Sequence, residues 1–276
     1  MLGVFDSGFG GLTVLKDLVR ALPNYDFAYL GDNARAPYGN RSFESIYNYT
    51  LEAVRYLFSL GCPLVILACN TASAKALRTI QQKDIPVIAP SNRVLGIIRP
   101  MAEEIGNFTK TGHIGVLGTV GTIASESYLL EIAKFWPNLH VKQEACPMLV
   151  PLVEKGLTKH PATEMFIREY TQKILALEPR IDTLVLACTH YPLLQDIFEK
   201  NLPKNVKIAS QASIIAPKTL EYLAKHPEID SRISKNLQKN GKIRFLTTDS
   251  VEFFEKGATS FWGEGIRAEK VSIFQQ

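Results

Sequence analysis

The sequence predicts an α/β fold: two similar lobes with mostly parallel sheets, related by a pseudo-twofold axis, with the active site in the cleft between them. Three observations lead there. Short apolar runs alternate with helix-period patterns along all 276 residues. The runs are continuous rather than alternating, as in strands covered on both faces. The two halves also echo each other. Val65-Ile66-Leu67-Ala68-Cys69-Asn70-Thr71 aligns with Leu184-Val185-Leu186-Ala187-Cys188-Thr189-His190, and Gly3-Val4-Phe5-Asp6-Ser7 aligns with Gly115-Val116-Leu117-Gly118-Thr119. Ligands of open α/β sheets bind beyond the carboxyl ends of the strands, so matched strand ends point to one shared cleft.

The elements follow in order. Gly3 to Phe5 reads as a strand entering a glycine-rich turn, Gly8-Phe9-Gly10-Gly11. Leu12, Leu15, Leu18, Val19 and Leu22 share one helical face, and Phe27 to Leu30 is a short strand. Ile46, Tyr49, Ala53, Val54 and Leu57 mark a second helix before the buried strand Leu64 to Ala68. Further strands are expected at residues 86–89, 113–117, 183–187, 206–209 and 243–246. Plausible crossings between lobes are Pro90 to Pro100 and Asn201 to Asn205. The first lobe is then 1–95 plus 206–276, and the second 96–205.

Composition narrows the function. Apolar residues are 46% and charged residues 21%, enough for a packed core and too apolar for a disordered chain. The net charge of +4 is small, and no dense Lys/Arg run occurs, so no nucleic-acid partner is expected. No stretch approaches a membrane span, and Asp6 interrupts the first apolar run, so neither a membrane nor a signal peptide is expected. The location is read as cytoplasmic. Cys62, Cys69, Cys146 and Cys188 contain no CxxC, and the five histidines complete no zinc pattern, so neither a disulfide framework nor a metal is expected.

Cys69 and Cys188 each end an apolar strand and precede a helix start. A thiol there meets unpaired N–H groups and the positive end of the helix dipole, which favour the thiolate. Cys62 and Cys146, each followed by Pro, are assigned to packing. Two thiols in one cleft permit a disulfide switch, a nucleophile with a resolving partner, or proton transfer on both faces of one carbon. The last inverts a stereocentre without a cofactor if donors around a carboxylate stabilise the carbanion. Asp6 sits in a glycine turn whose spacing fits neither GxGxxG nor a P-loop; it suits a substrate ammonium or an Asx-turn. Tyr38 and Gly39 can offer hydroxyl and backbone donors to an anion. His190 stands two residues after Cys188, placed to tune it. Glu154 reads on its own as a solvent-exposed acid.

Taken together, these motifs resemble the glutamate racemases of the aspartate/glutamate racemase superfamily. The likeness runs through Gly3 to Gly11, Gly31-Asp32 to Pro37-Tyr38-Gly39, Ala68 to Ser73, Gly118 to Thr122, Pro151 to Glu154 and Cys188 to Leu194, with a weaker match at Thr248-Asp249. It implies cofactor-independent interconversion of L- and D-glutamate, supplying D-glutamate to peptidoglycan. By that resemblance Cys69 deprotonates the D-enantiomer and Cys188 the L-enantiomer, with Asp6, Glu154 and His190 assisting. Substrate contacts carried over are Asp6, Ser7, Tyr38, Gly39, Asn70, Thr71, Thr189 and His190, with Thr119 and Thr122 lining the site. A homodimer is expected. Two departures stand out: Ala187 where many members have Gly, and no acid near Ile208-Ala209-Ser210-Gln211. A racemase for aspartate, a redox dithiol pair and a binding protein on the same scaffold remain the alternatives.

Overall fold

The computed structural model describes residues 1–236, 238, 240–263 and 265–274, with Ala212 described by its backbone alone. Strand β1 (Leu2–Asp6) leads into helix α1 (Leu12–Ala21) and then β2 (Phe27–Gly31). Helix α2 (Phe43–Ser59) is capped by Ser42, whose hydroxyl accepts from the Ser45 N–H. It returns the chain to β3 (Leu64–Leu67), which runs directly into α3 (Asn70–Lys75). After β4 (Arg93–Gly96), α4 (Ile98–Glu104) leaves the first sheet and packs on the second lobe.

The second lobe contributes β5 (His113–Gly118), α5 (Val120–Ala124), α6 (Ser127–Phe135) and β6 (His140–Ala145). It continues with α7 (Leu149–Glu154), α8 (Pro161–Leu177), β7 (Thr183–Ala187), α9 (Gln195–Asn201) and β8 (Lys207–Ala209). Helix α10 (Ala212–Lys225) then crosses back to pack on α1, followed by β9 (Ile243–Thr247), α11 (Val251–Trp262) and β10 (Ala268–Lys270). The first sheet has the order β10-β9-β2-β1-β3-β4 and the second β6-β5-β7-β8. Every strand pair in both is parallel.

Parallel strands bury both faces, and side-chain alternation divides the first sheet cleanly. Val4, Ile66 and Ala68 face the core that contains Leu12, Leu15 and Leu18 of α1. Phe5, Val65, Leu67 and Cys69 face the core of α2. The α1-side core continues into the second lobe through Leu184, Leu186 and Cys188.

Three expectations need correction. Residues 86–89 form no strand; Ile85–Ile88 is a helical turn, with Pro86 in its first turn, where a missing N–H costs nothing. The fourth strand is β4, a few residues on. The helix after Cys188 begins as a 3-10 turn, Tyr191–Leu194, and becomes α-helical only at Gln195. Finally, Lys207–Ala209 pairs with β7, so residues 206–209 go with the second sheet rather than the first lobe. We place the return crossing at about residues 210–212. Two strands gave no apolar run to read: β6 is a polar edge strand, and β10 is a three-residue edge.

Candidate active site

Register brings the chemistry together. Asp6 ends β1 opposite Gly31, and the Ala68 N–H continues the β1–β3 ladder to the Phe5 carbonyl at 2.8 Å. Asp6, Ser7 and Cys69 therefore emerge side by side. In the second sheet Gly118 pairs with Ala187, so Thr119 and Cys188 leave adjacent strand ends. The two sets meet in one cleft. Of the residues expected at the site, Ser7, Tyr38, Gly39, Cys69, Asn70, Thr71, Thr119, Glu154, Cys188, Thr189 and His190 line it. Asp6 and Thr122 do not; both are fully buried just behind the lining.

Cys69 caps α3, its sulfur accepting the Ala72 N–H at 3.4 Å and lying 3.6 Å from the Ser7 hydroxyl. The expected thiolate-favouring helix contact is therefore present, yet it does not win. Burial pushes the Cys69 pKa up to about 12, and the nearby Asp6 carboxylate adds to the rise. The Ala72 and Ser7 hydrogen bonds lower it only in part. Cys69 is thereby held as a thiol at neutral pH.

Cys188 has a different neighbourhood. Its sulfur is 3.8 Å from His190 Nδ1, and His190 Nε2 is 3.2 Å from Glu154 Oε1. Burial alone would strip the His190 proton. The hydrogen bonds to Cys188 and Glu154 outweigh it and bring the pKa up to about 10. His190 is thus an imidazolium at neutral pH, held between sulfur and carboxylate. Its ring meets that of Phe261 of α11 in a T-shaped contact at a centroid distance of 5.4 Å. Glu154 is not the freely solvated acid of its local sequence: it lines the cleft.

Asp6 is both a local turn-former and part of the site. Its Oδ2 accepts the Gly8 N–H at 2.9 Å, an Asx-turn, while its Oδ1 accepts from the Thr189 hydroxyl at 3.4 Å across the lobes. Burial raises its pKa, opposed by His190 and the Gly8 and Gly11 amides. Three hydroxyls, Thr71, Thr119 and Thr122, bond to one another at 2.9 to 3.4 Å across the lobe boundary. Beside them the Gly121 N–H donates to the Gly39 carbonyl at 2.8 Å.

Tyr38 departs from expectation. Its hydroxyl donates to Asp32 Oδ2 instead of facing an anion. Asp32 also accepts from Arg35 Nε at 2.7 Å and from the Thr248 hydroxyl at 2.8 Å. The sequence marked Gly31-Asp32 only as part of a loop, and this buried hub was missed as the anchor of residues 37–39. Also missed were Cys146, Pro147, Val150 and Pro151, which line the cleft. A Cys-Pro pair after a polar edge strand carried no catalytic mark. Burial holds the Cys146 thiol well above the usual range.

Gly10 is required by close approach. A Cβ there would lie 2.2 Å from Thr189 Oγ1 and 2.7 Å from His190 Nδ1. Gly10→Ala must therefore push the Thr189–His190 turn away from β1. We expect about 1–3 kcal/mol lost from thermal stability by overpacking, with roughly tenfold lower turnover. Wild-type turnover in this variant would mean that the turn tolerates displacement.

All four cysteines are buried and free, so no disulfide joins Cys69 to Cys188. Among the described residues, no cluster of three or more His, Cys, Asp or Glu could hold a metal, and no helix is long and apolar enough to cross a membrane.

Residues 3–217 match the Asp/Glu/Hydantoin racemase family model. The chain is 43% identical to the glutamate racemase of Persephonella marina over 276 residues, 99% of this chain and 97% of that one. Among solved structures, a glutamate racemase isoform from Bacillus anthracis aligns with a TM-score of 0.88 at 37% identity, over 99% of this chain and 97% of the other. The glutamate racemase of Francisella tularensis, solved in complex with D-glutamate, aligns with a TM-score of 0.85 at 32% identity and the same coverage.

Proposed function

The chain belongs to the Asp/Glu/Hydantoin racemase family and, within it, to the glutamate racemases; from that premise we propose that it interconverts L- and D-glutamate with Cys69 and Cys188 as its two acid/base groups. The observation that carries the proposal is that both sulfurs, one from each sheet, line a single cleft. Cys188, as thiolate beside the His190 imidazolium, takes the Cα proton of L-glutamate. The Cys69 thiol gives its proton to the opposite face, and D-glutamate results. The reverse reaction exchanges the roles. At each turnover one S–H bond forms and one breaks; before the next L-glutamate binds, Cys188 gives its proton to solvent and Cys69 takes one from it.

The carbanion is the costly species. Ser7, Asn70, Thr71 and Thr189 supply hydrogen-bond donors from both lobes around the space where the substrate carboxylates would lie. The raised pKa of Cys69 suits a resting acid. A bound substrate ammonium in the cleft would lower the cost of ionising Cys69 when D-glutamate is the substrate, with Asp6 behind the lining favouring that positive charge at one remove. Tyr38 and Gly39 shape the mouth of the cleft through the Asp32-anchored loop. Thr119 and Thr122 hold Thr71 in place.

Incubation with L-glutamate in deuterated water, with no pyridoxal phosphate added, should yield D-glutamate carrying deuterium at Cα. Absence of Cα exchange from neutral to mildly alkaline pH would overturn the reading. A role in supplying D-glutamate to peptidoglycan, a cytoplasmic location and a homodimer complete the proposal on the strength of the family. The four free cysteines support a reducing compartment.

A further inference from the structure

We propose that Gln211 and Tyr128 are positioning residues that hold the Asn70 side-chain amide in one orientation, with an N–H directed into the cleft toward a substrate carboxylate. This rests on the reading of the cleft as a glutamate site. Asn70 follows Cys69 at the start of α3, Tyr128 comes from α6 of the second lobe, and Gln211 lies in the return crossing. All three are more than nine-tenths buried, and Asn70 lines the cleft.

Their hydrogen bonds form a closed set. Asn70 Nδ2 donates to Gln211 Oε1 at 3.0 Å, and Gln211 Nε2 donates to Asn70 Oδ1 at 3.1 Å. In such a reciprocal amide pair each partner uses the N–H on the same side as its own carbonyl. The opposite N–H of each is then free for something else. For Gln211 it goes to the Tyr128 hydroxyl at 2.8 Å. Tyr128 turns its own O–H to Asn70 Oδ1 at 2.7 Å. Asn70 Oδ1 thus receives two donors, filling both its lone pairs, and Gln211 spends both N–H bonds. The second N–H of Asn70 is left for the cleft.

An unrestrained asparagine can present either an N–H or a carbonyl oxygen to its ligand, and the oxygen repels a carboxylate. Turning Asn70 alone would set its Oδ1 against Gln211 Oε1 and discard the Tyr128 bond. Both amides would have to turn together inside a packed site. The arrangement also links the lobes: the donor beside Cys69 is oriented by a tyrosine of the facing lobe and a glutamine of the crossing. It gives Gln211 a task in a segment where the sequence had drawn notice only for lacking an acid.

The test compares kcat and KM for L-glutamate in wild type, Gln211→Glu and Tyr128→Phe. Glutamate at 211 can donate to neither Asn70 nor Tyr128, so KM should rise roughly tenfold or more, with kcat falling as well because the same donor serves the carbanion. Tyr128→Phe removes one oxygen and should raise KM about threefold, with a smaller fall in kcat. A merely structural role would lower the active fraction, and so kcat, at constant KM; that pattern, or an unchanged KM in both variants, overturns the proposal. If Gln211→Glu does not fold, Tyr128→Phe decides alone. A wild type that racemises no glutamate would instead overturn the functional reading, and this inference with it.

Discussion

Serine in place of either Cys69 or Cys188 should lower glutamate racemisation by about 10²–10⁴-fold or more, the range set by losing a positioned acid–base group. The substitution changes one atom and leaves the buried volume nearly intact, so thermal stability should move far less than activity. The two variants should fail equally in both directions. L- and D-glutamate have equal free energy in water, so kcat/KM must be the same from either side, whichever thiol is missing. What separates the variants is exchange without inversion. Cys188→Ser keeps the group assigned to the D-enantiomer, so solvent deuterium should enter D-glutamate with retention and spare L-glutamate. Cys69→Ser should do the opposite. Chiral chromatography coupled to mass spectrometry reads both. Inversion near the wild-type rate in either variant would remove that cysteine from the mechanism. Exchange of both enantiomers by a single-cysteine variant would break the assignment of one thiol to each face.

Much of this was legible before the structure, for a physical reason. Strands buried on both faces must be written as continuous apolar runs, and a strand ending at a cleft must switch abruptly to polar residues. Val65 to Thr71 and Leu184 to His190 show that switch twice. Where burial weakens, so does the record. β6 and β10 are edge strands, with nothing to bury on one side, and neither was anticipated. The turn at 85–88 misled because an apolar run that short fits a strand and a helical turn equally well.

The site shows the same division. Residues at strand ends were found, because chain direction alone places them. Side-chain orientation was not. Nothing in Pro37-Tyr38-Gly39 discloses that the Tyr38 hydroxyl turns back to Asp32, which is held in turn by Thr248, just past the end of β9 and more than two hundred residues away. The protonation balance was equally hidden. Helix geometry argued for a Cys69 thiolate, but the cost of burying that charge depends on how completely the lobes close over it. The sequence does not specify that closure.

The pH dependence should expose the difference between the two thiols. Cys188 has a built-in counter-charge in His190, and Cys69 has none of its own. The imidazolium persists until pH approaches about 10, because its bonds to Cys188 and Glu154 overcome burial. Loss of that proton removes the positive charge beside Cys188, so the alkaline arm of kcat/KM should lie high in wild type. Glu154→Gln removes one of the two interactions that raise the pKa. The imidazolium is then lost at lower pH, and the alkaline arm should move down by about one pH unit or more. The sign is fixed: taking away a carboxylate can only make this histidine easier to deprotonate. His190→Asn has no proton to lose over this range. Its kcat/KM should fall by about 10²–10³-fold, and the His190 limb should vanish from the profile. A Glu154→Gln profile that overlays wild type, or shifts toward higher pH, would show that the 3.2 Å contact does not govern the His190 charge.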